Sequence, residues 1–123
     1  MTTAVTITVE GQAVDARLRV EVTARLGEAL RRLRVVPIAA RAIFTDEDGP
    51  KGGATQRCAL TIGLPYRAEV HVERLDVRPR LAFAAALDAI ERQLERYRER
   101  ARDERRHPKK YYAARRAAEG RDR

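Results

Sequence analysis

Phe83, Leu87, Ile90, Leu94, Tyr97 and Ala101 recur at alternating steps of four and three residues, and no other feature of the chain restricts its fold as much. Such spacing lays one apolar stripe along a helix and leaves the other faces polar. The helix is expected from about Arg80 to about Arg105, with Pro108 ending it at or before His107. A stripe of that length needs a broad apolar partner, and the preceding residues supply one as strands.

Val5, Ile7 and Val9 alternate with Thr6 and Thr8, the two-residue period of a strand with one buried face. Gly11 punctuates. Asp15 then caps a first helix, in which Leu18, Val22, Leu26, Ala29 and Leu33 recur at helical spacing. Gly27 lowers its propensity slightly and stands beside the stripe, where close packing would favour it. A second strand is expected over roughly Val36 to Thr45, with Ile38, Ala40, Ala42 and Phe44 on one face and Arg41 on the other. Asp46-Glu47-Asp48-Gly49-Pro50-Lys51-Gly52-Gly53 reads as an acidic turn. A third strand from Arg57 to Leu64 turns Cys58, Leu60, Ile62 and Leu64 inward. After a turn at Pro65-Tyr66-Arg67, a fourth turns Ala68, Val70 and Val72 inward and Glu69, His71 and Glu73 outward.

The order is β-α-β-β-β-α. This predicts an α+β fold: a four-stranded mixed sheet with both helices on one face and the other face open. The right-handed crossover rule makes the second strand parallel to the first, and the third and fourth follow as a meander in order 1-2-3-4. Residues 1–106 are expected to form the domain, and 107–123 a basic, flexible tail.

Charge is distributed unevenly. Between Arg105 and Arg123 eight Lys or Arg face Glu119 and Asp122, a net of +6, whereas residues 1–104 carry 18 basic and 16 acidic side chains, a net of +2. A nearly balanced body with a basic arm indicates a polyanionic partner, nucleic acid first. Arg92, Arg96 and Arg100 make a ridge of one charge per turn on the last helix, flanked by Asp88, Glu91, Glu95 and Glu99. Arg17, Arg25 and Arg32 lie on roughly one side of the first helix. Packed side by side, the two edges would form one cationic groove. Pairing of Asp88 with Arg92, or Glu28 with Arg32, is the alternative that needs no ligand. In the tail, Tyr111 and Tyr112 lie among Lys109, Lys110, Arg115 and Arg116, a mixture of rings and charges suited to bases and phosphates.

Other chemistries lack their residues. His71 and His107 have no companions for a metal; His71 reads as a surface side chain or an RNA contact. Cys58, the only cysteine, reads as a small buried hydrophobe and excludes an internal disulfide. The glycine-rich segment has no following Gly-Lys-Ser or Gly-Lys-Thr and opens no helix, so it is not a phosphate loop. No nucleophile–base pair is discernible. The expectation is a noncatalytic protein without cofactor or metal. No apolar run spans a bilayer and no secretory signal opens the chain, so a cytoplasmic location and no membrane partner are expected.

Jointly, the element order, Phe44 through Gly53 followed by Arg57-Cys58, the strand Val70-His71-Val72 and the run Ala84-Ala85-Ala86-Leu87-Asp88-Ala89-Ile90-Glu91-Arg92-Gln93-Leu94-Glu95-Arg96 give a resemblance to a known family. Over about residues 4–104 the chain resembles the ribosome hibernation-promoting factors, also called sigma-54 modulation proteins, in their short form. That resemblance implies a factor, monomeric when free, that binds the small ribosomal subunit and its ribosomal RNA. It would occupy the channel of messenger and transfer RNA and inhibit translation in idle cells. By position, the family's basic last-helix surface maps to Arg92, Arg96, Arg100 and Arg102. Two departures are expected: the chain would lack the second domain with which long members pair ribosomes, and its last helix would carry an acidic edge and arginines where relatives carry lysines. Two other readings stand beside this one. One is a general module for structured RNA; the other is a protein-interaction adaptor whose basic tail addresses an acidic partner.

Overall fold

The structure, a computed structural model, describes residues 6–48, 54–65 and 69–106. Strand β1 (Ile7–Glu10) leads into helix α1 (Ala16–Arg32), followed by β2 (Ala39–Asp48), β3 (Ala54–Gly63), β4 (Val70–Asp76) and helix α2 (Pro79–Arg106). The four strands form one sheet in the order β1-β2-β3-β4, with β1 parallel to β2 and the other pairs antiparallel, which is the predicted topology. Val5, Ala68, the Tyr66-Arg67 turn, the Gly49–Gly53 segment, the side chains of Asp48, Ala54, Ala101 and residues 103–106, and the proposed tail lie outside what is described.

Alternation sends one face of every strand against the helices. Val9, Ala40, Ala42, Phe44, Cys58, Leu60, Ile62 and Val72 are buried there, meeting Leu18, Val22, Leu26, Ala29 and Leu30 of α1 and Phe83, Leu87, Ile90 and Leu94 of α2. This is the hydrophobic driving force for the fold, each large side chain contributing about 1.5–3 kcal/mol on full burial. The buried Cys58 thiol is pushed up to about 12 by loss of solvent.

Both ends of α1 and the start of α2 have identifiable causes. The Asp15 carboxylate accepts a hydrogen bond from the Leu18 amide at 2.7 Å, capping α1. At the other end Leu33 caps, Arg34 takes a left-handed conformation (φ 56°), and the Val35 and Arg34 amides donate to the Leu30 and Arg31 carbonyls. That double bond pattern is the Schellman motif, here with arginine where glycine is usual. Helix α2 starts with Pro79 in its first turn, where a missing amide hydrogen costs nothing.

Two expectations require correction. Asp46, Glu47 and Asp48 are strand, not turn: they pair with Gln56, Thr55 and Ala54. The backbone ladder offsets the low strand propensity of acidic residues, and the charge is met locally. Gln56 donates to the Asp46 carboxylate, and Arg57 bridges Glu47 at 2.8 Å and Glu73 at 3.6 Å. Ile38 is not on the buried face but 75% exposed. It precedes β2, where its amide donates to the Gly63 carbonyl at 2.8 Å and the alternation has not yet begun.

Candidate nucleic-acid interface

The sheet's uncovered face is stitched together by its own polar groups. Arg41 pairs with Glu10 at 3.0 Å across β1 and β2. Arg57 joins Glu47 and Glu73, and the Thr61 hydroxyl hydrogen-bonds His71 Nδ1 at 2.7 Å. His71 thus faces solvent as expected, within a mixed-charge surface rather than a cationic one.

The cations concentrate around α2, where two grooves flank the buried stripe. Between α1 and α2 runs a groove of about 420 Å³ lined by Ala24, Arg25, Glu28, Ala29, Arg32, Leu87 and Glu91. Its arginines are engaged. The Arg32 guanidinium lies 3.1 Å from the Glu91 carboxylate, and that of Arg25 lies over the Phe83 ring, 5.4 Å from its centre. Nearer the start of α2, Arg80 and Glu21 pair at 2.8 Å, a second link between the helices. Glu28 pairs with Arg31 rather than with Arg32.

On the other flank of α2, against the edge of β4, Leu64, Glu69, Val70, Gln93, Arg96, Tyr97 and Arg100 line a groove of about 300 Å³. Arg96 and Arg100 are exposed and make no ion pair among the described side chains. Arg92, one turn earlier, is held at 2.6 Å by Asp88. The single cationic groove expected from both helices therefore does not exist. Helical steps of four carry Arg92, Arg96 and Arg100 along the β4 side of the stripe, while α1 packs along the other side. Arg102 is exposed but two residues beyond Arg100, hence on a different flank of the helix. Arg17 is exposed in the first turn of α1. Lys109, Lys110, Tyr111, Tyr112, Arg115 and Arg116 lie outside the described residues.

Gln93 and Glu69 were not singled out from sequence. Gln93 had a legible signal, since it precedes Arg96, Tyr97 and Arg100 at steps of three, four and seven. Glu69 had none, because only the fold brings the start of β4 beside α2.

The fold is thus a four-stranded mixed sheet with two helices on one face and a groove carrying two exposed arginines at its β4 edge. Among the described residues no three His, Cys, Asp or Glu side chains could together hold a metal ion, and no helix is long and apolar enough to cross a membrane. The chain belongs to the family described as sigma 54 modulation protein / S30EA ribosomal protein, whose profile matches residues 5–102, and this family is noncatalytic. No curated protein matches it in sequence. Its fold is similar to that of the N-terminal domain of Protein Y from Thermus thermophilus, with 21% identity, TM-score 0.58, and coverage of 74% of this chain and 93% of that one. It is also similar to a ribosomal subunit interface protein from Coxiella burnetii, with 19% identity, TM-score 0.54, and coverage of 76% and 97%.

Proposed function

We propose that this protein binds the small ribosomal subunit through its RNA, occupies the channel of messenger and transfer RNA, and thereby inhibits translation in idle cells. The observation that carries the reading is the pair of exposed guanidiniums, Arg96 and Arg100, free of carboxylate partners among the described side chains, on a helix that leads into the strongly basic residues 105–123. Guanidiniums offer paired donors to phosphate, and each intramolecular carboxylate partner would compete with that use. The family description and the subunit-interface name of the Coxiella protein favour a ribosomal partner over free duplex RNA. Inhibition is steric: a folded body in the channel excludes the strands that would enter it, and no bond is made or broken. The cytoplasm is where such a partner resides.

The test is sedimentation of the purified protein with isolated small subunits, large subunits and an unrelated duplex RNA at near-physiological salt. Selective pelleting with small subunits is expected. Equal binding to all three overturns the ribosomal assignment in favour of a general structured-RNA module, and binding to none redirects it to an acidic protein partner. Arg96→Glu with Arg100→Glu is expected to abolish pelleting with an unchanged circular dichroism spectrum; undiminished pelleting would remove the groove from the interface.

A further inference from the structure

We infer that the groove between β4 and α2 seats one unstacked guanosine of a single RNA strand, an inference that rests on the RNA-binding reading above. Size is the first argument. At about 300 Å³ the groove is at the lower end of small-ligand sites. It has room for one nucleotide and none for the wall of a duplex.

The lining divides by chemistry in the way a nucleotide does. Arg96 and Arg100 stand one helical turn apart on the rim, about 6 Å along the axis, a spacing that serves adjoining phosphates of an extended strand. Leu64, which is buried, the half-buried Val70 and the ring of Tyr97 give an apolar surface for the face of a base. Glu69 and Gln93 supply the remaining polar groups.

Glu69 decides the base. It is exposed and pairs with neither Arg96 nor Arg100, although all three line the same groove. A carboxylate there weakens the hold on phosphate unless the ligand offers it donors. Guanine presents N1–H and the N2 amino group side by side, two parallel donors for one carboxylate, while its O6 and N7 accept from the Gln93 amide. Uracil has one ring N–H flanked by acceptors, and adenine and cytosine expose an amino group beside an unprotonated ring nitrogen. Only guanine meets the carboxylate with two donors. The groove between the helices offers no such site, because its arginines are taken by Glu91 and Phe83.

Fluorescence anisotropy with two labelled RNA hexamers tests this: one of uridine throughout, the other with a single central guanosine. The guanosine hexamer is expected to bind about tenfold more tightly. Glu69→Ala should bring the two affinities within about twofold without weakening the uridine hexamer, whereas Arg96→Ala should weaken both. Equal binding of the hexamers to the unaltered protein, no detectable binding of the guanosine hexamer, or a preference that survives Glu69→Ala would each overturn the assignment. Glu69 is exposed, so its replacement leaves the fold intact, which circular dichroism verifies. The hexamers contain no ribosome. A flat titration therefore overturns the groove assignment alone, and failure to pellet with small subunits overturns the ribosomal reading alone.

Discussion

Two residues, one within α1 and one just past its end, have the wrong backbone chemistry for their places, in opposite directions. Gly27 lies within the helix at an ordinary φ, and a Cβ built there would meet only Ile7 Cδ1, at 3.8 Å. Close packing does not require the glycine, so Gly27→Ala is expected to stabilise the protein by about 0.5–1 kcal/mol. Arg34 holds the left-handed position of the Schellman motif, so Arg34→Gly should likewise stabilise, by about 0.5–1 kcal/mol. Urea denaturation of each variant measures both, and a lowered midpoint would contradict the corresponding argument. Cys58 supplies a pH prediction. Its thiol ionises near its ordinary value of 9.0 when unfolded and near 12 when buried, so above pH 9 the unfolded chain releases a proton that the native one retains. Stability is therefore fully present below pH 9 and falls as pH rises toward 12. The difference in urea midpoint between the protein and Cys58→Ala should shift in favour of the variant across that interval, and a constant difference would refute the burial argument.

At the scale of elements, the stripe of α2 and the alternation of β3 were legible because each is a repeat whose phase is enforced by burial on one side. The ends of β2 were not. Ile38 continues the apolar phase by coincidence, ahead of the first residue that is paired in the sheet. Asp46 to Asp48 lack strand propensity, and their ladder partners are supplied by a segment six to ten residues later in the chain. The arginines divide on the same principle. Spacing within one helix placed Arg92, Arg96 and Arg100 in a row, but it could not tell which flank α1 would cover, nor that Arg32 would find Glu91. Since Arg32 and Glu91 form a partly exposed pair between helices, a double-mutant cycle with alanine at both positions should give a coupling below about 1 kcal/mol. Arg32→Ala should leave small-subunit pelleting unchanged. A loss as large as that from altering Arg96 and Arg100 would show that the groove between the helices also faces RNA.

For the whole molecule, binding to a polyanion implies counterion release. The logarithm of the affinity for small subunits should fall linearly with the logarithm of salt concentration, and Arg96→Ala together with Arg100→Ala should make that slope shallower by about 2. An unaltered slope would mean that neither guanidinium touches phosphate. A different property follows from the unequal pairings within the sheet. Strands β2, β3 and β4 join neighbours close in the chain, whereas β1, four residues long as described, has its one partner among the described residues separated from it by the whole of α1. Its chain closure is the most expensive and its ladder the shortest, so β1 docks late in folding and opens first in the native state. Amide hydrogens of Ile7 to Glu10 should exchange with solvent well before those of Cys58 to Ile62, and the leading strand then acts as a latch on a body assembled without it.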